Sequence, residues 1–94
     1  LAMVAKTLAD ELGPRGVRVN GIMPGRLDTD RVRELDSLAA DSEQARRQHE
    51  ASIPLRRYGM PEEFGKVAAF LLSDAASYVT GAMLPVDGGI TRGL

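Results

Sequence analysis

The sequence predicts an α/β fold in which two parallel strands are joined by a helical crossover. Apolar residues recur at helical spacing in residues 1–12 and 61–72, and short apolar runs at 17–23 and 82–86 indicate strands. A longer and more polar segment, residues 28–55, separates the first strand from the second helix. The order helix, strand, helical segment, helix, strand forms one βαβ unit, which takes a right-handed crossover.

Length and composition limit the classes of function. Ninety-four residues form one small domain at most, and a net charge of −1 gives no basic surface for nucleic acid. The chain has no cysteine, which excludes disulfides and thiolate metal sites and fits a reducing cytoplasm. The longest run without a charged residue, 75–86, is too short to span a bilayer. We therefore expect a cytoplasmic protein that binds neither nucleic acid nor a membrane.

The first helix is predicted from an apolar stripe at i, i+3, i+4 and i+7 spacing. Gly13 is expected to end it in the left-handed conformation, and Pro14 cannot continue it. Gly16 then turns the chain into the strand. The stripe consists of Leu1, Val4, Ala5, Leu8, Ala9 and Leu12.

The first strand, Val17 to Met23, ends at a Pro24-Gly25 break and opens into a loop that carries Thr29. In α/β sheets, ligands bind beyond the carboxyl ends of the strands, so this loop is the candidate site. Gly21, in the middle of the strand, fits either close packing by a helix or room for a ligand, and we favour packing.

Residues 28–55 are predicted to form a helical excursion. Thr29 and its acidic neighbours can cap a first short helix, and Ser42 a second. The apolar stripe is thin, so the segment buries little surface and is expected to be mobile. Such a segment beside a site serves as a lid or is simply a solvated surface excursion.

The second long helix is predicted to begin at Pro61, a favoured first helical residue, with Glu62 and Glu63 at the positive end of its dipole. Met60 is a poor N-cap, so Gly59 or the loop backbone should satisfy the first amides. Pro85 cannot donate to a ladder, which places the last strand at a sheet edge or ends it there. The buried face of the helix should comprise Phe64, Val67, Ala68, Leu71 and Leu72.

Two parallel strands alone make a marginal sheet, since parallel strands occur almost only in larger sheets covered on both faces. The chain also opens at Leu1 inside a helix pattern, without an initiator methionine or a signal peptide. We therefore expect part of a larger α/β domain whose N-terminal part is absent. The competing interpretation is a free-standing mini-domain, which would have little core.

Four motifs follow one another along the chain. They are Arg18-Val19-Asn20 with Pro24-Gly25 and Thr29, Gly59-x-Pro61-Glu62-Glu63, Thr80-Gly81, and Val86-Asp87-Gly88-Gly89. In this order they resemble the C-terminal third of short-chain dehydrogenases/reductases, and in particular the 3-oxoacyl-acyl-carrier-protein reductase group. The resemblance implies that residues 1–94 are the C-terminal part of a Rossmann-type doubly wound parallel sheet, with residues 28–55 as the substrate lid.

The resemblance also implies a cofactor, NAD or NADP, whose nicotinamide end lies at this loop. Pro24, followed by Gly25, would lie against the ring, the backbone of Leu27 would bond the carboxamide, and the Thr29 hydroxyl would reach the carboxamide or the pyrophosphate. A plain N-cap is an equally good interpretation of Thr29. The implied reaction is hydride transfer between nicotinamide and a small carbonyl or alcohol substrate. The helix from Pro61 and the last strand would form an interface in a dimer or tetramer.

No residue of the chain can be assigned a proton-transfer or metal-binding role. Tyr58 and Tyr78 lack a lysine four residues on, so packing is the better interpretation of both, and Lys6 has no tyrosine at the motif spacing. His49 stands alone in a charged run and is expected to be solvated. The chain by itself should therefore be inactive. The alternative is a non-catalytic binding or interaction fragment, or a degenerate relative, that retains only the fold and the assembly surface.

Overall fold

The computed structural model describes residues 2–91 and confirms the predicted α/β order, with the two strands pairing in parallel. In the register, Gly21 lies opposite Met83 and Pro24 opposite Val86, so both strands end at the same edge. Three-residue 3₁₀ turns follow the first and the last helix. The elements are α1 (Ala2–Leu12), β1 (Gly21–Pro24), α2 (Asp30–Asp36), α3 (Ser42–Ser52), α4 (Pro61–Leu72) and β2 (Met83–Val86).

The first strand is shorter than predicted, because it begins at Gly21 and not at Val17. In front of it one backbone bond joins the two segments, from the Gly81 N–H to the Val19 carbonyl at 2.7 Å, and side chains add further bonds. The Thr80 hydroxyl accepts from the Val19 N–H at 3.0 Å, and the Asn20 carboxamide accepts from the Ala82 N–H at 3.1 Å. The same carboxamide donates to the Val79 carbonyl at 3.0 Å. The motif residues Asn20 and Thr80 thus align the strands without extending them.

Gly21 lies under a neighbouring side chain of the sheet. A Cβ at this position would lie 2.6 Å from Cε and 2.7 Å from Sδ of Met83, its partner on β2. The contact is therefore with the flexible end of a strand residue and not with the predicted helix.

Helix α1 buries only Ala5 and Ala9, whereas Val4 and Leu8 of the predicted stripe are exposed. Within the described residues, nothing covers that part of the helix surface. Gly13 does not end the helix in the left-handed conformation, because it starts a 3₁₀ turn; Gly16 takes that conformation instead, with φ 78°. Leu1 lies outside the described residues.

Helix α4 begins at Pro61 as predicted, and Leu71 is its buried residue. The Glu63 carboxylate accepts from the Met60 N–H at 2.8 Å, while the Met60 carbonyl accepts from the Glu63 N–H at 2.9 Å. Leu72 is 85% exposed, which contradicts its predicted burial. It lies one position past Leu71 and so points off the apolar stripe.

The buried apolar residues of the described chain are few. They come from α1, from the segment between α3 and α4, and from the C-terminal end of α4 and the turn after it. None of the helices described within residues 2–91 has the length and apolar character needed to cross a membrane. The buried residues are Ala5, Ala9, Ile53, Tyr58, Leu71 and Ala76.

Candidate functional site

The candidate loop leaves the carboxyl end of β1 and packs at once against the exit of β2. The Gly25 N–H donates to the Val86 carbonyl at 2.9 Å, which continues the strand pairing by one bond. A Cβ on Gly25 would lie 2.6 Å from both Cα and Cβ of Asp87, so a side chain has no room here. Pro24, in contrast, is exposed. Close backbone packing on one side therefore coincides with an open proline on the other.

A single parallel β-bridge pairs Leu27 with Gly59. It joins the two ends of the helical excursion, residues 28–55, that follows this loop. The Gly59 N–H donates to the Arg26 carbonyl at 3.0 Å, and the Asp28 N–H donates to the Gly59 carbonyl at 2.7 Å. In this pattern the N–H and carbonyl of Leu27 face away from Gly59. The Leu27 carbonyl accepts from the Thr29 N–H at 2.9 Å. Among the described residues, the Leu27 N–H has no hydrogen-bond acceptor.

Thr29 is the N-cap of α2. Its Oγ1 accepts from the Val32 N–H at 3.2 Å, in an extended backbone conformation. A hydroxyl has one donor and two acceptor lone pairs, so this bond leaves the Thr29 O–H able to donate. The predicted cap is present, and it does not exclude a contact to a ligand. The cap of α3 differs from the prediction: Asp41, not Ser42, accepts from the Gln44 N–H at 3.1 Å.

The structure places Pro24, Gly25, Leu27 and Thr29 in one six-residue stretch at the carboxyl ends of both strands. A cleft of about 590 Å³ lies beside this stretch, between the segment after α3 and the end of β2. Of the four residues, only Leu27 lines the cleft. The remaining walls include Arg26, Pro54, Leu55, Arg57, Gly59, Glu63 and the chain from Pro85 to Gly89.

A buried polar cluster within the excursion was not predicted. Its centre is Asp36, the last residue of α2, whose side chain is only 6% exposed. The Tyr58 hydroxyl donates to Asp36 Oδ2 at 2.7 Å, and the Arg26 guanidinium donates to Oδ1 at 3.0 Å. His49 Nδ1 lies 3.2 Å from the Tyr58 hydroxyl and 3.3 Å from Asp36 Oδ1, so the histidine is not isolated as predicted, although its side chain remains 40% exposed to solvent.

These contacts set the protonation of the cluster. The hydrogen bond from Tyr58, followed by the contact with Arg26, lowers the pKa of Asp36 below its ordinary value. Burial and the bond to Asp36 raise the pKa of Tyr58 above 10.0. At neutral pH, Asp36 is therefore a carboxylate that accepts a hydrogen bond from the neutral phenol of Tyr58. Tyr58 is held as a structural donor rather than as a general acid.

Arg46 of α3 completes the cluster from outside. Its guanidinium carbon lies 4.4 Å from the centroid of the Tyr58 ring, within the range of a cation–π contact. The same guanidinium lies 3.4 Å from the carboxylate of Asp28. Helical periodicity could not reveal this cluster, because its members are scattered polar residues. The sequence offers one signal, a tyrosine that follows a charged segment.

Within residues 2–91, no three histidine, cysteine or acidic side chains are grouped in a way that could hold a metal ion. Tyr78 is fully exposed, and Lys6 packs its side chain against Gly81. Neither forms a pair of the kind that proton transfer needs.

Comparison with known proteins agrees with the motifs. The family model described as enoyl-(acyl carrier protein) reductase matches residues 1–91. The chain is 49% identical to the FixR protein of Bradyrhizobium diazoefficiens, over 95% of the chain and 29% of FixR. It is 47% identical to the 3-oxoacyl-[acyl-carrier-protein] reductase FabG of Pseudomonas aeruginosa, over 90% of the chain and 32% of FabG.

A solved structure also matches. The crystal structure of YwfH, an NADPH-dependent reductase involved in bacilysin biosynthesis, superimposes with a TM-score of 0.91 at 34% identity, over the whole chain and 37% of YwfH. The chain thus spans about a third of the length of the relatives that it matches. The two parallel strands and their helices are accordingly part of a Rossmann-type α/β domain. The chain belongs to the short-chain dehydrogenase/reductase family, as a C-terminal segment of the 3-oxoacyl-acyl-carrier-protein reductase type.

Proposed function

We propose that this chain is the nicotinamide-end segment of an NAD- or NADP-dependent oxidoreductase that transfers a hydride between nicotinamide and a small carbonyl or alcohol substrate. One observation carries the proposal: the Pro24–Thr29 loop lies at the carboxyl ends of two paired parallel strands, with the Leu27 N–H and the Thr29 O–H free to donate. Membership of the family, and the NADPH dependence stated for YwfH, support the choice of cofactor.

The residues of the loop suit one end of such a cofactor. The exposed Pro24 offers an apolar surface for a ring, and the absence of a side chain at Gly25 lets the loop lie directly against Asp87. The Leu27 N–H would donate to the carboxamide, and the Thr29 O–H to the carboxamide or to a pyrophosphate oxygen. The cofactor itself supplies the hydride chemistry, and the protein supplies binding and orientation.

Residues 28–55 would act as the substrate lid. The bridge between Leu27 and Gly59 supports this role, because it makes the excursion start and return at adjacent points beside the loop. Neither α2 nor α3 buries an apolar side chain within the described residues. A segment of this kind can change pose without disrupting the sheet.

Helix α4 and strand β2 would form a subunit interface in a homodimer or homotetramer. Exposed apolar side chains on both elements support this assignment: Phe70 is 47%, Leu72 85% and Leu84 38% exposed. The absence of cysteine supports a cytoplasmic location. Light scattering of the complete gene product, the full translation of the reading frame that contains residues 1–94, tests the assembly.

The groups that transfer the proton would lie in the remainder of the domain, and residues 1–94 alone should not turn over substrate. The second candidate function is a non-catalytic module that keeps the fold and the assembly surface. It is favoured by one observation, which is that neither described tyrosine is placed for proton transfer, since Tyr58 is bonded to Asp36 and Tyr78 is fully exposed.

Titration of the complete gene product with NADH and NADPH, followed by an assay of nicotinamide absorbance with a panel of ketones and aldehydes, tests the proposal. We expect saturable cofactor binding and carbonyl-dependent loss of absorbance. Binding without turnover across the panel would favour the non-catalytic module. A chimera that joins residues 1–94 to the preceding part of Pseudomonas aeruginosa FabG gives a second route, in which retained turnover is the expected result.

A further inference from the structure

Three other parts of the chain converge on the carboxylate of Asp36. Arg26 precedes the lid segment, Asp36 ends α2, His49 belongs to α3, and Tyr58 follows the segment. Among the described residues, Asp36 is the one charged residue that is buried. The two ends and the middle of residues 28–55 are therefore joined through one ionised group.

Apolar packing contributes little to the pose of the two helices in this segment, whose buried apolar residue, Ile53, lies after α3. Asp36 is the buried residue of α2, and α3 has none. Hydrogen bonds to an ionised group are shorter, stronger and more directional than neutral ones. A carboxylate that is buried without its partners is costly, so the arrangement in which Tyr58 and Arg26 both donate is strongly preferred. The cluster thus selects one pose for the lid segment.

The cluster also joins this pose to the candidate loop. The Arg26 carbonyl accepts from the Gly59 N–H at 3.0 Å, while the Arg26 side chain holds Asp36. Arg26 directly precedes Leu27, whose N–H is the proposed carboxamide donor. Because the bond from Gly59 holds the Arg26 backbone, loss of the Asp36 contact should release the lid segment and leave the backbone that faces the cofactor in place.

We propose that Asp36 and Tyr58 are positioning residues: together with Arg26 they hold the lid segment in the pose that orients the carbonyl substrate. This inference rests on the proposed function. The two residues touch neither substrate nor cofactor, and they act through the lid segment. Their loss should raise the KM for the carbonyl substrate and leave the chemical step and cofactor binding nearly unchanged.

The experiment uses the complete gene product with Tyr58→Phe and Asp36→Asn, and Tyr78→Phe as the matched control, since Tyr78 is fully exposed. Hydrogen–deuterium exchange is followed separately in residues 30–52 and in α4. For both test variants we expect the exchange rate in residues 30–52 and the KM for the carbonyl substrate each to rise about tenfold, as for the loss of one charge-assisted hydrogen bond. The kcat and the Kd of the cofactor should stay within about twofold of the wild-type values. Asp36→Glu, which keeps the charge, should restore part of the KM.

Unchanged exchange in residues 30–52 for Tyr58→Phe would overturn the inference, and so would faster exchange with an unchanged KM, which would make the cluster purely structural. If Asp36→Asn does not fold, Tyr58→Phe, which removes a single hydroxyl, carries the test alone. A wild-type protein without turnover would contradict the proposed function and the substrate part of the inference. In that case the exchange measurement still decides whether Asp36 and Tyr58 fix the segment.

Discussion

Gly25 lies directly against Asp87, so that the loop after β1 and the exit of β2 form one surface. A Cβ on Gly25 would stand 2.6 Å from Cα of Asp87, a separation that folded proteins essentially never show. The Gly25 N–H and the Val86 carbonyl, 2.9 Å apart, hold this approach in register. The position of the candidate loop therefore depends on the absence of a side chain at residue 25.

Gly25→Ala should destabilise the complete gene product by about 1 to 3 kcal/mol, the range for overpacking at a rigid backbone contact. It should also weaken cofactor binding, because the loop must shift away from Asp87. Chemical denaturation and cofactor titration measure the two effects. Gly13→Ala is the control, since a Cβ at Gly13 meets nothing within 4 Å. Equal stability of the two variants would contradict the packing explanation.

Thr29→Val should separate the two roles of this residue. Loss of the N-cap to the Val32 N–H should lower the free energy of unfolding by about 1 kcal/mol. Loss of the O–H donor should raise the Kd of NADH or NADPH about tenfold. Thr29→Ser retains both groups and should behave as the wild type, as should Thr7→Val on the exposed side of α1. An unchanged Kd together with reduced stability would leave Thr29 as a cap alone.

Glu63 should make the stability of the protein depend on pH at the acidic end. The bidentate bond from Arg57, at 2.7 and 2.9 Å, and the bond from the Met60 N–H lower the pKa of Glu63 from 4.5 to about 2. A carboxylate whose pKa is lower in the folded state stabilises the protein at pH values above its ordinary pKa. This contribution is lost as the pH falls through the pKa of the folded state.

The wild type should therefore be more stable than Glu63→Gln above pH 4.5, and the difference should shrink as the pH falls from 4.5 towards about 2. Urea denaturation at a series of pH values measures this difference. Glu62→Gln, at the exposed neighbouring position, should show no such trend. A difference between wild type and Glu63→Gln that stays constant with pH would rule out this explanation.

Arg18 should be a stabilising residue. It is the first residue of the motif Arg18-Val19-Asn20 and does not belong to the candidate loop. Its guanidinium donates to the Leu71 carbonyl at 2.8 Å and to the Ser73 carbonyl at 3.3 Å, which satisfies the C-terminal end of α4. Arg18→Met, which keeps most of the aliphatic stem, should cost about 2 kcal/mol in thermal or chemical denaturation. Arg15→Met, at an exposed position, should cost nothing measurable.

The elements with strong local signals were predictable from the sequence. Pro61 and the acidic residues after it mark the start of α4, and the helix begins there. The two strands pair in parallel as the order of elements requires. The start of β1 was not predictable, because the side chains of Asn20 and Thr80 bond to backbone groups of the opposite segment there, and these contacts join residues about sixty positions apart.

The candidate loop was predictable as a location and less so in its detail. Pro24, Gly25, Leu27 and Thr29 are neighbours in sequence, and the strand before them fixes where they lie. The Asp36 cluster could not be foreseen, because it joins residues from 26 to 58 through polar contacts that leave no periodic pattern. His49 in particular looks solvated in sequence, and only the fold brings it to Tyr58.

The most direct test of the central claim is the change in nicotinamide absorbance when the complete gene product is given NADH or NADPH and a panel of ketones and aldehydes. We predict a saturable loss of absorbance that depends on the carbonyl, with one of the two cofactors preferred. Absence of turnover with both cofactors, in a protein that is folded and assembled, would contradict the assignment of this chain to an active oxidoreductase.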